Sequence, residues 1–276
     1  MTLATPSRGY HAAMDTPYSA ELITLQGADT LAFAQAQFSS NVAALEPSRW
    51  QFSAWLDARG RVRALFHLLR LEDERLLLLL RGGAAAPLAR ALGLYVLRSK
   101  VRIEAATGLA LGTAPALACG LVEAKADDLI LGCGRHALVI GRYGDSRWRL
   151  EQIRAGWPWL PTESLLDTLL PPALGLRHLQ ATALDKGCYP GQEIVARLHY
   201  RGGHKHHLHH VRLSRPVPPG TVLESTTGPV QLLDVAAVDE GAEALAILHD
   251  ELAQTLSLAP LTLAGTRVEW LASFPP

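Results

Sequence analysis

The stretch Lys186-Gly187-Cys188-Tyr189-Pro190-Gly191-Gln192-Glu193 sets one cysteine between two glycines, directly ahead of a helical pattern. The glycines allow backbone angles closed to other residues, while the proline fixes one φ angle and removes one amide donor. We therefore expect a loop of defined shape. Ile194 and Leu198 share one face of a predicted helix over residues 192–198, with Gly191 as its N-cap. Cys188 accordingly lies close to a helix N-terminus.

The surroundings of Cys188 favour a thiolate over a thiol. The amide groups and dipole of a helix N-terminus favour an anion, and Lys186 shares a face with Cys188 if the segment is extended. A thiolate there can be a nucleophile, a ligand of a metal or cluster, or a redox sensor. The residue types leave these roles open, beside plain packing in a tight turn. Cys119 and Cys133 stand in apolar contexts without a cation before them, which predicts packed, structural cysteines.

Composition excludes several classes of protein. The chain has 276 residues, 49% of them hydrophobic, which is enough for two or three packed units. Lys plus Arg and Asp plus Glu both total 26, which argues against a protein that coats nucleic acid or an anionic membrane. Three cysteines without a CxxC pair argue against a disulfide framework and against zinc. We expect a cytoplasmic protein, since residues 1–18 lack the apolar core of a secretory signal and the apolar run at residues 76–80 is too short to cross a bilayer.

Strands and helices alternate without a βαβ rhythm, which predicts an α+β fold. An antiparallel meander is predicted from strands at residues 51–56, 62–71 and 76–80, with helices at residues 84–97 and 162–170 and a further strand at residues 129–139. After residue 210, short strands and turns predict a small C-terminal β-barrel. We assign residues 1–205 to the main region, as two α+β subdomains with a break near residues 105–115, and residues 206–276 to the barrel.

Residues 186–193 match the KGCYxGQE signature of the YgfZ family at every specified position. The match continues at Val195-Ala196-Arg197 and Tyr200-Arg201-Gly202. Further matches follow in the expected order at residues 27–29, 37, 41–42, 57–62 and 153–158. The chain thus resembles the YgfZ family of folate-binding proteins, which are relatives of the glycine-cleavage aminomethyltransferase (GcvT). The resemblance implies α+β domains with mixed and antiparallel sheets around a central folate pocket, followed by a β-barrel.

The resemblance also implies a function. In the family, the signature cysteine supports certain iron–sulfur enzymes, including one that thiomethylates tRNA, so Cys188 is the expected acting residue, with Lys186 tuning its thiol. Tetrahydrofolate is the implied ligand, and iron–sulfur client or assembly proteins are the implied partners. We expect a monomer without direct contact to nucleic acid or membrane. The motif positions expected to shape the loop and helix are Gly187, Tyr189, Gly191, Gln192, Glu193, Arg197 and Arg201.

Three further residues are implied to contact the folate. Trp148 matches by spacing a tryptophan associated with folate in the bacterial family, and Arg154 and Gly156 lie in the segment that contacts the pterin. A second such tryptophan maps near Ala20, where Tyr18 is the nearest aromatic residue.

The chain departs from the aminomethyltransferases at their catalytic acid. They carry a paired-aspartate stretch after the glycine of the corresponding turn, where this chain has Arg61-Val62-Arg63-Ala64. The parent one-carbon transfer then lacks its carboxylate, so we expect an accessory protein rather than an enzyme. Two alternatives stay open: a folate-dependent one-carbon transferase that uses Asp57 or Asp185, and an interaction module whose cysteine loop only shapes a docking surface.

A histidine-rich run at residues 204–210 raises the question of a metal site. In a strand, positions 204, 206 and 208 share one face and 207 and 209 the other, so no face collects the ligands of a structural zinc site. We therefore predict a solvated basic strand without bound metal. Residues 186–215 hold six Lys or Arg against Glu193 alone. This patch suits the glutamate tail of folate or an acidic partner, more so below about pH 6.5, where histidine is protonated.

Overall fold

The structure, a computed structural model, describes residues 18–160 and 162–275. Within them, two antiparallel sheets are accompanied by five α-helices. The helices are α1 (Thr30–Gln37), α2 (Ala85–Gly93), α3 (Arg147–Arg154), α4 (Gln192–Arg201) and α5 (Asp250–Leu258). None of these described helices has the length and apolar character needed to cross a bilayer. Residues 1–17, which belong to the stretch predicted to carry no secretory signal, lie outside the described residues.

The first sheet has eight strands in the order β2-β3-β4-β1-β5-β8-β7-β6. They are β1 (Ser19–Gln26), β2 (Arg49–Leu56), β3 (Val62–Glu72), β4 (Arg75–Leu80), β5 (Arg102–Ala114), β6 (Val122–Lys125), β7 (Asp128–Gly132) and β8 (Ala137–Gly141). Strands β3 and β4 are nearly continuous apolar runs because hydrophobic cores cover both of their faces. An antiparallel bridge between Arg49 and Leu121 joins the two edges, so the sheet is nearly closed.

The second sheet forms the C-terminal unit, with six strands in the order β10-β11-β12-β9-β14-β13. They are β9 (His206–Leu213), β10 (Val222–Leu223), β11 (Val230–Val238), β12 (Gly241–His249), β13 (Leu261–Leu263) and β14 (Thr266–Ser273). These strands and α5 enclose a core of their own. A further core spans both sheets, since Leu208, Leu233 and Leu245 pack in one cluster with Leu111 and Trp148 of the N-terminal region.

The structure confirms the antiparallel α+β architecture, the meander of β2, β3 and β4, and the helix after Gly191. The predicted break near residues 105–115 falls inside β5, which pairs with β1 through residues 102–110 and with β8 through residues 110–114. The sheet is therefore continuous there, and the division into two subdomains stays a prediction.

Some local predictions were wrong. The helix over residues 162–170 is replaced by a short 3-10 turn, Glu163–Leu165, because the following backbone pairs with the start of β3 instead. Asp167 N donates to Val62 O at 2.9 Å, and Val62 N donates to Leu169 O at 2.8 Å. The strand predicted at residues 129–139 is a hairpin of β7 and β8, and helix α5 was not predicted at all.

Candidate functional site

Cys188 is exposed on a loop that two neighbouring side chains hold in place. The Lys186 ammonium donates to the backbone oxygens of Phe38 and Ser40 at 2.6 and 2.7 Å. The buried Tyr189 donates its hydroxyl to the backbone oxygen of Ala183 at 3.0 Å. The loop is thus tied down on both sides of the thiol, which gives it the defined shape expected from its glycines and proline.

Lys186 serves as an anchor of this loop. Burial lowers the pKa of Lys186 to about 8, and its Nζ lies 5.0 Å from the centre of the Tyr189 ring. Its hydrogen bonds go to main-chain carbonyls. The predicted tuning of the Cys188 thiol by this ammonium would therefore act through space, without a direct hydrogen bond.

The start of helix α4 is built around two glycines in contact. Gly191 caps the helix with φ +77°, and its carbonyl accepts from Ile194 N at 3.1 Å. A Cβ at Gly191 would meet Asp57 O at 2.6 Å and Gly60 Cα at 2.8 Å. The turn at residues 57–61 therefore packs directly against the cysteine loop. The Asp57 carboxylate organises this turn, since Oδ1 accepts from Arg59 N and Arg61 N, each at 2.8 Å.

Helix α4 has two different faces. Glu193, Arg197 and Arg201, from the family signature, are exposed on one of them. The opposite face turns Val195, Leu198 and His199 towards a large cavity. The cysteine loop therefore lies at the N-terminal end of a helix that also forms a wall of the cavity, and Cys188 itself is not among the lining residues.

The cavity has a volume of about 1060 Å³ and lies between β2, residues 171–185, α4 and the start of β9. One wall is aromatic, formed by Trp50, Phe52 and Trp157. Their rings meet edge to face, with centroids 5.1 to 5.9 Å apart. Trp50 is fixed by its indole N–H, which donates to Gly132 O at 2.9 Å. Such a wall suits a flat, partly apolar ring.

Another part of the lining carries polar side chains, beside apolar residues such as Pro171, Leu179 and Leu198. Arg177 Nη1 donates to His199 Nδ1 at 2.5 Å, and His207 Nδ1 lies 2.6 Å from Asp250 Oδ1. The polar side chains around this part are Arg177, His178, Gln180, Asp185, His199, His204 and His207. Among the described lining residues, Arg177 and the imidazoles can donate hydrogen bonds to anionic groups of a ligand, beside one carboxylate, Asp185.

A buried cation supports the aromatic wall from behind. Arg81 is fully buried and donates to Pro158 O at 2.8 Å and to Trp157 O at 2.9 Å. Its guanidinium lies 5.3 Å from the centre of the Phe52 ring. Burial lowers the pKa of Arg81 to about 9, and burial with the Arg81 charge lowers the pKa of His67, which keeps that imidazole neutral. Arg81 thus positions Trp157 through its backbone.

The three residues predicted to contact folate do not line this cavity, and their contact with folate stays a prediction. Trp148 is fully buried, donates to Asp145 O at 2.8 Å, and packs against Tyr18 with ring centroids 5.3 Å apart. Arg154 pairs with Glu243 of the barrel at 2.7 Å, and a Cβ at Gly156 would collide with the Phe274 ring at 2.4 Å. In the structure these residues join helix α3 to the C-terminal unit, and Trp50 and Trp157 take the aromatic positions at the cavity.

The histidine run is not a solvated strand, and that prediction is corrected. Strand β9 lies in the middle of the second sheet, between β12 and β14, so His209 and His210 are buried. Burial lowers the pKa of His209 to about 4, and His210 Nε2 lies 2.8 Å from Glu243 Oε2. Within residues 18–160 and 162–275, no group of three or more His, Cys, Asp or Glu could hold a metal ion.

The two other cysteines differ from each other. Cys133 is buried as predicted, and burial raises the pKa of its thiol to about 12. Cys119 was expected to be packed, but it is exposed and lines the cavity. The reason is that Gly120 N pairs with Gly132 O at 3.1 Å in an irregular turn before β6, which apolar neighbours in sequence do not reveal.

Several known proteins are similar to this chain in sequence. An uncharacterized protein of Haemophilus influenzae is 30% identical over 195 residues, 67% of this chain and 68% of its own. Proteins named tRNA-modifying protein YgfZ match from Sodalis glossinidius, 26% identical over 88% of this chain and 90% of theirs, and from Edwardsiella ictaluri, 28% identical over 90% and 91%. No protein-family model matches the chain.

The chain belongs to the YgfZ family. The YgfZ resemblance seen at residues 186–193 is thereby confirmed. A solved structure of glycine cleavage system aminomethyltransferase T from Bartonella henselae matches with a TM-score of 0.68 and 15% identity, covering 95% of this chain and 84% of that one. This similarity confirms the GcvT-like fold expected for a YgfZ protein, with antiparallel sheets around a cavity and a smaller C-terminal β-barrel.

Proposed function

We propose that this protein is an accessory factor for the assembly or repair of iron–sulfur enzymes, including a tRNA-thiomethylating enzyme, and that Cys188 is its acting sulfur. One observation carries the proposal: the thiol is exposed on an anchored loop outside the cavity. An exposed thiol there is open to a protein partner, and Cys188 does not line the cavity. The relatives' name, tRNA-modifying protein, supports this direction. We take the protein to act in the cytoplasm as a monomer.

The cavity is the proposed site of a folate-type ligand. Its aromatic wall fits a flat pterin ring, and the buried Arg81 behind that wall holds Trp157 in position. Arg177, His178 and His199 at the polar part fit the carboxylates of a glutamate tail. When bound, tetrahydrofolate would supply a carrier for one-carbon groups. The residues of this chain would bind and orient it.

A one-carbon transferase is the alternative. Of the two carboxylates considered as its base, Asp57 is engaged by the amides of its own turn, whereas Asp185 lines the cavity. The assay is turnover of a methylated amine with tetrahydrofolate, comparing the natural protein with Asp185→Asn. Turnover that disappears in D185N would favour this alternative over the accessory role.

The role of Cys188 is tested by complementation of a strain that lacks its own protein of this family. We expect Cys188→Ala to lose the thiomethylated tRNA nucleosides that the natural protein restores. Cys119→Ala is the comparison, because it removes another exposed thiol; Cys119 also lines the cavity, so ligand binding by C119A is measured alongside. Full restoration by C188A would refute the proposal.

The ligand site is tested by quenching of Trp50 and Trp157 fluorescence with 5-formyltetrahydrofolate. Ala44 lines the cavity and is exposed, so Ala44→Trp fills the cavity without disturbing the core. Ala43→Trp is the control, since Ala43 is exposed but does not line the cavity. We expect A44W to weaken binding by about tenfold or more and A43W to leave it unchanged. Equal affinity of both variants would exclude this cavity as the site.

A further inference from the structure

An apolar and basic surface follows helix α2. Leu94, Tyr95 and Leu97 are 78%, 46% and 87% exposed, and these three account for three of the seven exposed large hydrophobic residues in the described part of the chain. The other four, Tyr143, Tyr200, Val222 and Leu258, are far apart in sequence. A cluster of large apolar side chains in four consecutive positions is unusual on a surface that meets only water.

These side chains are displayed on an ordered turn. Tyr95 N donates to Leu92 O at 3.0 Å, and Val96 N donates to Gly93 O at 3.2 Å. Val96 packs into the core beneath α1 and α2, and Tyr95 rests on the Trp55 ring with centroids 5.8 Å apart. The leucines are thus held in place before any partner arrives, which lowers the entropy lost on binding.

Exposed cationic side chains precede and follow the leucines in the chain and form the cationic rim of this surface. Between Glu74 and Glu104 the chain has six Lys or Arg and no carboxylate. Arg90, Arg98 and Lys100 flank the turn and form no salt bridge with another described residue. The nearby carboxylates are engaged, because Asp29 accepts from Lys100 N at 2.7 Å and Glu104 pairs with Arg102 at 2.5 Å.

Successive contacts through the buried side chains of Trp55 and Phe38 connect the turn to the cysteine loop. Tyr95 packs on Trp55, and Trp55 pairs with Phe38 through an antiparallel bridge. The carbonyl of Phe38 accepts from Lys186, two residues before Cys188. Arg63 adds a further cation, with its guanidinium 4.4 Å from the centre of the Trp55 ring.

We propose that the turn at residues 93–100 is a docking surface for a protein partner with an apolar cleft bordered by carboxylates. The proposal rests on the accessory function proposed above, and it names the surface that would bring the iron–sulfur client to Cys188. An apolar centre with a charged rim is the usual anatomy of a protein interface, and the cationic rim requires an acidic partner. We commit to a protein as the occupant, because the accessory function proposed above has the exposed Cys188 acting on a protein client.

The test uses the purified tRNA-thiomethylating iron–sulfur enzyme of the same organism as the binding probe. We expect the L94S/L97S variant to weaken its binding by about tenfold or more, and R98E/K100E to weaken it and reduce its salt dependence. Leu258→Ser is the matched control, because Leu258 is 84% exposed on the far end of α5 and should bind within about twofold of the natural protein. Fluorescence binding of 5-formyltetrahydrofolate should be the same in all of them.

Complementation separates this proposal from the proposed function. If L94S/L97S restores thiomethylated nucleosides fully while C188A does not, the docking surface is refuted and the function of Cys188 stands. If C188A also restores the thiomethylated nucleosides, the proposed function of Cys188 is refuted. Loss of binding to vesicles of phosphatidylglycerol and phosphatidylethanolamine, with client binding unchanged, would overturn the proposal in favour of a bilayer. Loss of self-association in sedimentation, with client binding unchanged, would overturn it in favour of a second copy.

Discussion

The residues next to Cys188 form hydrogen bonds with groups elsewhere in the chain, and these partners explain what the residues do. Lys186 was predicted to tune the thiol, which stays a prediction; in the structure its ammonium binds two carbonyls contributed by the segment after α1. Tyr189 makes the equivalent bond on the other side of the loop. Lys186 and Tyr189 therefore anchor the loop on both sides of the thiol.

The first prediction concerns the Lys186 anchor. Lys186→Met keeps the length of the side chain but leaves the carbonyls of Phe38 and Ser40 without their donor. We expect a loss of about 1–3 kcal/mol in the free energy of unfolding, measured by urea denaturation. Lys205→Met is the control, because its ammonium is 3.9 Å from the exposed Asp250 carboxylate, a pair of little energetic value. Equal stability of K186M and K205M would contradict the anchoring role.

At this scale the sequence predicted a shaped cysteine loop at a helix N-terminus but missed the cavity wall. Trp50 and Phe52 are two residues apart in a strand, so their common face follows from the strand period. The sequence around Trp157 and Cys119 does not indicate that these two residues line the same cavity as Trp50 and Phe52. Those positions depend on pairings such as Trp50 N with Gly120 O at 2.9 Å, which join residues seventy positions apart in the chain.

At the scale of elements, the loop before α4 depends on the contact between its cap and the turn at residues 57–61. The helix itself was predictable, since Gly191 and the apolar spacing are local signals. The failed helix at residues 162–170 shows the limit of such signals, because Asp167 and Leu169 form backbone bonds with Val62, which lies about a hundred residues earlier. At these residues a long-range strand pairing overrides the local helix propensity.

The second prediction compares two glycines of the same loop. Gly191→Ala must adopt a left-handed φ and pushes its Cβ against Asp57 O and Gly60 Cα, so we expect a loss of about 1–3 kcal/mol in unfolding free energy and loss of complementation. Gly187→Ala meets no atom within 4 Å and needs no such φ, so it should be close to neutral. Urea denaturation and the tRNA nucleoside assay measure both. A G187A protein as damaged as G191A would show that the close approach at Gly191 is not the cause.

At the scale of the whole molecule, helix α3 joins the two sheets. Arg149 on this helix forms a buried ion pair with Asp234 of β11, and Arg149 also donates to Val235 O at 2.7 Å. Five positions further on, Arg154 pairs with Glu243 of β12. Arg154, which was predicted to contact folate, thus belongs to the joint between the N-terminal region and the barrel. The fold could be predicted from sequence, whereas the assignment of folate-contacting residues stays a prediction.

The third prediction tests this joint. Arg149 and Asp234 are 6% and 2% exposed, so removing one partner leaves an uncompensated charge in the interior. We expect Arg149→Met or Asp234→Leu alone to lower the free energy of unfolding by about 3–5 kcal/mol, and the double variant R149M/D234L to recover a large part of that loss. Arg147→Met is the control, because Arg147 is exposed on the same helix and pairs only with Asp145 at the surface. Urea denaturation of the four proteins forms a double-mutant cycle. Strictly additive losses would mean that the two charges are solvated independently, and the barrel would then be held to α3 by apolar packing and the Arg154–Glu243 pair.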